Sequence, residues 1–210
     1  MIRHILFDLD STLYSINMGL EDDFFERLKV FTSAWLKRPW AECEPLRKEA
    51  LTKYGTTLEW LIKEESLVDI DEYYAHVHPE NEADSLSPDH ALRRFLESLP
   101  CPCSVLTNAP RFHAERIIAK LELEGIFRNI FAVDASGIKG KPHPAAYNNA
   151  LNTLALKAEE VLFVDDVPRY VEGYLALGGM GILLDENDVH KDYTGEKIRD
   201  LKELSNFFTC

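Results

Sequence analysis

The segment His4-Ile5-Leu6-Phe7-Asp8-Leu9-Asp10-Ser11-Thr12-Leu13-Tyr14 decides the fold. Its apolar run, residues 5–7, has the length of a buried strand. The run ends in two carboxylates, Asp8 and Asp10, one residue apart. Residues i and i+2 of an extended segment point the same way, so two negative charges are presented together at the end of a core strand. Four further short apolar runs occur at residues 104–106, 130–133, 161–164 and 180–184. Helical patterns lie between the later ones. Ala114, Ile117, Ile118 and Leu121 recur at i, i+3, i+4 and i+7, with Gly125 as the expected stop. Tyr147, Ala150, Leu151 and Leu154 repeat the spacing behind Pro144, which is suited to a first helical turn. Alternating strands and helices predict an α/β fold, a doubly wound, Rossmann-like parallel sheet covered on both faces.

Residues 16–84 break this rhythm. Phe24, Leu28, Phe31 and Trp35 trace one helix face, Thr56-Thr57-Leu58-Glu59 reads as a capping box, and Ile70, Tyr73, Tyr74 and Val77 mark another helix. A small helical cap domain, 16–84, is therefore expected within a core formed by 1–15 and 85–210. Residues 79–88 are the expected return linker, and Ser87-Pro88-Asp89 starts the helix that leads back to the sheet. The aromatic residues Phe24, Phe25, Trp35, Tyr73 and Tyr74 are expected in the cap's own core. His76, His78 and His113 show no ligand spacing and are read as surface or minor structural residues.

The chain has 210 residues, 46% hydrophobic and 28% charged, with a formal charge of −13. That size and composition suit a globular protein with a substantial core. The acidic balance excludes a general binder of nucleic acid polymers or anionic membranes, while leaving small anionic substrates open, since a metal and a few cations reverse the field locally. Cys43, Cys101, Cys103 and Cys210 lack disulfide or zinc spacing and are read as free thiols. The opening MIRHILFDLD turns acidic too soon for a secretory signal, and no apolar run approaches the ~20 residues of a membrane span. The expectation is a cytoplasmic protein, monomer or homodimer.

In an open α/β sheet, ligands bind beyond the carboxyl ends of the strands. There the pattern gathers Asp8, Thr107-Asn108, Lys141 and Asp165-Asp166. Several carboxylates at one edge repel unless a cation lies among them, and oxygen-only ligands suit Mg²⁺. Magnesium, a lysine and a hydroxyl together suit a phosphoryl group, and aspartate is a competent nucleophile toward phosphorus. Lys139 competes with Lys141 for this place but reads as a solvated loop residue.

These residues, Asp8-Leu9-Asp10-Ser11-Thr12, Thr107-Asn108, Lys141-Pro142 and Asp165-Asp166, resemble in content and order the motifs of the haloacid dehalogenase superfamily of phosphohydrolases. The resemblance spans nearly the whole chain. More narrowly, Tyr54-Gly55-Thr56-Thr57-Leu58, Leu106-Thr107-Asn108-Ala109 and Lys141-Pro-His-Pro-Ala-Ala-Tyr147 resemble the pyrimidine 5′-nucleotidase branch. The resemblance implies that Asp8 is nucleophile and metal ligand. Asp10 is general acid and base, with its backbone carbonyl on the metal. Thr107 and Asn108 bind phosphate, Lys141 neutralises charge, and Asp166 holds Mg²⁺ beside Asp165. A catalytic acid at position 10 favours phosphate chemistry over dehalogenation. The chain departs from the family at Ser11, where glycine is usual, and at Tyr170, where an Asp or Asn is often found.

The expected function is an Mg²⁺-dependent phosphomonoester hydrolase acting through an aspartyl-phosphate on pyrimidine nucleoside monophosphates. A sugar-phosphate phosphatase or phosphomutase, and a catalytically silent binding module on the same fold, are the alternatives. Tyr54, Thr56, Thr57 and Arg111 are expected substrate contacts, with His113 competing with Arg111 for that place.

Overall fold

The computed structural model describes residues 1–208, so Cys210 lies outside the described residues. Six strands, β1 (His4–Phe7), β2 (Cys103–Leu106), β3 (Phe127–Phe131), β4 (Val161–Asp165), β5 (Met180–Leu184) and β6 (Lys197–Ile198), form one sheet in the order β3-β2-β1-β4-β5-β6. Every pairing is parallel. Helices α1 (Leu20–Leu36), α2 (Trp40–Tyr54), α3 (Thr57–Glu64) and α4 (Ile70–Val77) come between β1 and β2, followed by α5 (His90–Glu97). Then come α6 (Arg111–Lys120), α7 (Pro144–Leu154) and α8 (Pro168–Leu175).

The pleat sends alternate strand residues to opposite faces. Ile5 and Phe7 pack in one layer with Val105, Leu162, Val164 and the apolar faces of α5 and α6. Leu6 packs in the other with Leu106, Val161, Phe163 and residues Tyr147 and Tyr174 of α7 and α8. Both faces of β1 are thus buried, which is why its sequence is continuously apolar. Among the described residues no helix is long and apolar enough to cross a membrane, and Cys43, Cys101 and Cys103 are free thiols.

The insert builds a core of its own. Leu28, Phe31, Leu58, Trp60, Leu61, Tyr73 and Val77 cluster there, with Phe24, Phe25, Trp35 and Tyr74 packed against them. Thr56 caps α3, its Oγ1 accepting from Glu59 N at 3.1 Å. Asp89 caps α5, accepting from the amides of Ala91 and Leu92. The carboxylates at the end of β4 also play a turn role, since Val167 N donates to Asp165 Oδ1 at 2.8 Å.

Two expectations shift, and one helix was not expected at all. The third strand runs Phe127–Phe131 rather than 130–133, because pairing with β2 passes through an irregularity between Cys103 and Val105 and Val133 turns into a short 3-10 segment. Helix α6 ends at Lys120, well before Gly125. There Asp89 N donates to Leu121 O and Arg93 Nη1 to Glu122 O, closing the turn with Glu122 at φ 55°. Helix α2 carries Pro45 in its interior and has no clear apolar stripe to announce it.

Candidate active site

The sheet order reverses direction at β1, whose neighbours β2 and β4 lead to opposite edges. Loops leaving such a strand diverge and open a crevice at its carboxyl end. Asp8 stands there, held by its amide on Val164 O at 2.8 Å. Lys141 Nζ, 1% exposed, donates at 2.6 Å to both Asp8 Oδ1 and Asp165 Oδ2. Asp8, Asp165 and Asp166 bring one carboxylate oxygen each within 4.8 Å of one another. Burial pushes the Asp8 carboxyl well above its usual range despite Lys141. Burial and the charges of Asp165 and Asp8 push Asp166 up to about 9. Burial would discharge Lys141, but Asp165 and Asp8 outweigh it and hold the ammonium above the ordinary lysine range. Three converging carboxyls, whose ionisation burial and mutual repulsion oppose and one lysine does not fully offset, are hard oxygen donors. That arrangement fits a divalent cation.

The other expected phosphate ligands border the same cleft, about 230 Å³ in volume. Thr107 Oγ1 accepts from Ala109 N at 2.9 Å, which leaves its hydroxyl proton to donate. Asn108 does something the sequence did not announce. Its side-chain amide clamps the Lys141 backbone, Nδ2 donating to Lys141 O at 2.9 Å and Oδ1 accepting from Lys141 N at 2.6 Å. Gly140 is required beside it. A Cβ there would lie 2.7 Å from Asn108 Oδ1 and 2.5 Å from the Thr56 methyl of the insert. Tyr170 places its ring 5.1 Å from Lys141 Nζ as a cation–π partner and accepts from Arg169 through its hydroxyl. Lys139 lies beside His143, 3.3 Å from its Nε2. Ser11, standing where the family usually has glycine, adopts φ 56°.

Asp10 points its carboxylate elsewhere. Oδ1 accepts from the Tyr14 hydroxyl at 2.8 Å and lies 2.8 Å from His113 Nε2. Burial opposes ionisation of Asp10, but His113 and the Tyr14 hydroxyl overcome it and hold the carboxyl below its usual range. Burial also works against a charged His113, yet Asp10 and Glu82 lift it to about 9. His113 Nδ1 is 2.9 Å from Glu82 Oε1, and His78 Nδ1 is 2.8 Å from Glu82 Oε2. Arg116 completes the cluster against Glu82. The surface reading of His78 and His113 is therefore corrected: both are buried and line the cleft. His113 and Arg116, one turn apart on α6, carried a weak signal. Their partner Glu82 lies in the presumed linker, where sequence pattern says nothing of contacts.

A second chamber of about 140 Å³ opens from the cleft and shares with it Phe24, Arg47, His78, Asn108 and Tyr170. Tyr73, Tyr74, Thr56 and Thr57 also line it. Phe24, Tyr73 and Tyr74 therefore serve the chamber wall as well as the insert's core. Arg47, unremarked in the sequence, donates through Nε to Thr57 Oγ1 at 2.7 Å. Two expected contacts fall away. Tyr54 gives its hydroxyl to Glu64 Oε1 at 2.7 Å, stacks under Lys53 and lines neither space. Arg111 turns to Ile130 O at 2.7 Å and to Glu115, because α6 points its first residue away from the cleft.

Residues 2–178 match the family model of haloacid dehalogenase-like hydrolases. A glyceraldehyde 3-phosphate phosphatase of Methanocaldococcus jannaschii is 24% identical over 97% of each chain. A phosphoglycolate phosphatase of Photorhabdus laumondii is 28% identical over 79% of this chain and 72% of its own. The L-2-haloacid dehalogenase of Xanthobacter autotrophicus superposes with a TM-score of 0.66 at 19% identity, covering 99% of this chain and 98% of that one. At that identity the superposition speaks for the fold.

Proposed function

This chain belongs to the haloacid dehalogenase-like hydrolases, and from that premise we propose that it is an Mg²⁺-dependent phosphatase whose substrates are nucleoside monophosphates, pyrimidine ones in particular. Residues 1–15 and 85–210 form the catalytic core in this reading, and residues 16–84 the cap that selects the leaving group. The observation that carries the chemistry is the meeting of Asp8, Lys141, Asp165 and Asp166 at the end of β1, with Thr107 on the same cleft.

Asp8 Oδ attacks phosphorus and the bond to the leaving oxygen breaks. Asp10 protonates that oxygen, releasing the alcohol and leaving an aspartyl-phosphate. The proton Asp10 delivers is held in the resting site by His113, 2.8 Å away. Water then attacks phosphorus, giving a proton to Asp10, and the bond from phosphorus to the Asp8 oxygen breaks, restoring the carboxylate and freeing phosphate. Thr107 donates its hydroxyl to a phosphoryl oxygen, and Lys141 balances the charge of Asp8 throughout. Asp8, Asp165 and Asp166, with the Asp10 carbonyl, would hold Mg²⁺, which when bound neutralises the phosphoryl oxygens and polarises phosphorus.

The second chamber supports the nucleotide reading. Aromatic walls from Phe24, Tyr73, Tyr74 and Tyr170 suit a planar base, and Arg47 with Thr57 offers donors and an acceptor to its edge. Arg47 also favours a second reading, a small phosphate ester whose far end carries a carboxylate or carbonyl, in keeping with the names of the curated relatives. The test is turnover of p-nitrophenyl phosphate with and without Mg²⁺, then kcat/KM for uridine and adenosine monophosphates, phosphoglycolate and glyceraldehyde 3-phosphate. Uridine monophosphate is expected to lead. A lead by either three-carbon or two-carbon ester would transfer the assignment to the second reading.

A further inference from the structure

Of the cluster behind Asp10, the reaction as written uses His113 but leaves Glu82 without a part. Glu82 belongs to the segment that returns from the insert to the sheet, and its side chain is 3% exposed. Its two oxygens face three partners: His113 Nδ1 at 2.9 Å, His78 Nδ1 at 2.8 Å and Arg116. The other nitrogen of the His113 ring lies 2.8 Å from Asp10 Oδ1. One imidazole thus stands between two carboxylates, in ion-pair contact with Glu82 of the return segment and hydrogen-bonded to Asp10 of the catalytic loop. His78 is fixed in turn. Its ring stacks on Phe24 of α1 at 5.1 Å and meets the His113 ring at 4.5 Å.

Packing alone does not call for this arrangement, since well-packed apolar groups fill such a space at equal or lower cost than buried ions. A metal site does not explain it either. His78, Glu82 and His113 do bring ligand atoms within 4.8 Å. But His113 turns its second nitrogen to Asp10, and the Arg116 guanidinium already balances Glu82 and would repel a cation. The remaining feature is directional. The Tyr14 hydroxyl and His113 both engage the same Asp10 oxygen, Oδ1. That anchors Oδ1 and leaves Oδ2 with no hydrogen bond among the described residues, open to a reacting oxygen.

We infer that Glu82 is a positioning residue for Asp10: acting through His113, it sets the orientation of that carboxyl toward the leaving-group oxygen, so the return segment of the insert supplies part of the phosphoryl-transfer geometry. The inference rests on the reading of Asp10 as proton donor, and the experiment separates the two. The rate of phosphoenzyme formation is measured in single turnovers for p-nitrophenyl phosphate, whose leaving group needs no proton, and for a simple alkyl phosphate, whose leaving group does. The proteins are wild type, Glu82→Gln, Asp10→Asn and the double variant, each checked for a wild-type unfolding transition. Asp10→Asn should slow the alkyl ester far more than the aryl ester; if it does not, the proton-donor reading falls and takes the inference with it. Glu82→Gln should show the same preference, slowing the alkyl ester on the order of tenfold to a hundredfold, the scale of a misplaced catalytic group. Added to Asp10→Asn, it should cost nothing further. Equal slowing of both esters by Glu82→Gln, or an undiminished penalty in the Asp10→Asn background, would overturn the inference while sparing the proton donor. His113→Gln is the second variant should Glu82→Gln not fold. If neither folds, the cluster is a folding element and the inference is wrong.

Discussion

Replacing Lys141 by methionine tests the centre of the site through stability as well as rate. The methionine chain fills a similar volume but removes the ammonium that touches Asp8 and Asp165, both at 2.6 Å. The three side chains are 1%, 8% and 0% exposed, so solvent cannot replace the lost charge. Breaking a buried pair by removing one partner costs about 3–5 kcal/mol. For a domain of this size that is a fall in Tm of roughly 6–20 °C. The pH dependence fixes the cause. Asp8 and Asp165 already have raised carboxyls because of burial, and Lys141 is what opposes the shift. Without it both rise further. A carboxyl raised on folding binds its proton in the native state, so its penalty is absent below the ordinary value near 4 and grows as pH climbs through the raised value. The deficit of Lys141→Met should therefore be largest near pH 8 and shrink toward pH 5. Mg²⁺ should return part of it by supplying positive charge to the same carboxylates. The assay is urea unfolding of both proteins in EDTA at pH 5, 6.5 and 8, repeated with Mg²⁺. Equal stabilities at pH 8, or a deficit that widens on acidification, would refute the pairing as the support of this site.

Asp8→Asn should abolish turnover of every ester, because an amide forms no acyl phosphate and uncatalysed monoester hydrolysis is slower by factors on the order of 10²¹; more than a few per cent residual activity would remove Asp8 as nucleophile. Apparent Mg²⁺ affinity, followed by calorimetry, should rise with pH by roughly tenfold per pH unit or more between pH 6 and 8, since the raised carboxyls of the cluster must release protons to bind; a flat profile over that range would refute proton release from this cluster on binding. Gly140→Ala should drive a Cβ against the Thr56 methyl and the Asn108 amide, costing about 1–3 kcal/mol in urea unfolding. It should raise KM for nucleotides more than for p-nitrophenyl phosphate.

What could be read in the sequence was local. Residues 5–7, 161–164 and 180–184 are apolar because both sheet faces are covered, and that density identifies a central parallel strand without any partner in view. β3 was placed late because it is an edge strand with a half-exposed pattern, Phe127 and Asn129 included, and its bounds come from pairing with β2. β6 pairs through two residues, too few for any pattern. The motif residues Asp8, Thr107 and Asp165 were visible because each lies at the end of a strand, and the sheet carries such ends to one edge whatever the loops do; Lys141 lies in the loop before α7 and is held at that edge by the Asn108 side chain.

The residues that were misread or not noticed share a different property: each acquires meaning from a partner that its own stretch of sequence does not reveal. Tyr54 and Thr56 are two positions apart, yet the break at Gly55 between α2 and α3 sends the first to Glu64 and the second against Gly140. Arg111 and His113 differ the same way: the helix rotates one to solvent and the other to Asp10. Arg47 and Glu82 lie in stretches with no apolar period at all, and only the packing of the insert over the sheet edge brings them to the cleft. The insert therefore contributes at two points of different kind. Arg47, with the aromatic wall, meets whatever leaves with the phosphate ester, whereas Glu82 meets the machinery that cleaves it. A change in the first should alter which ester is chosen, and a change in the second should alter how well a poor leaving group departs. Measuring Arg47→Ala and Glu82→Gln against the same aryl, alkyl and nucleoside phosphates separates these effects. Arg47→Ala should compress the differences among nucleotides while leaving the alkyl-to-aryl ratio alone, and Glu82→Gln should do the reverse. Identical profiles for the two variants would mean that the insert acts as one undivided cover, and that the division drawn from its contacts is false.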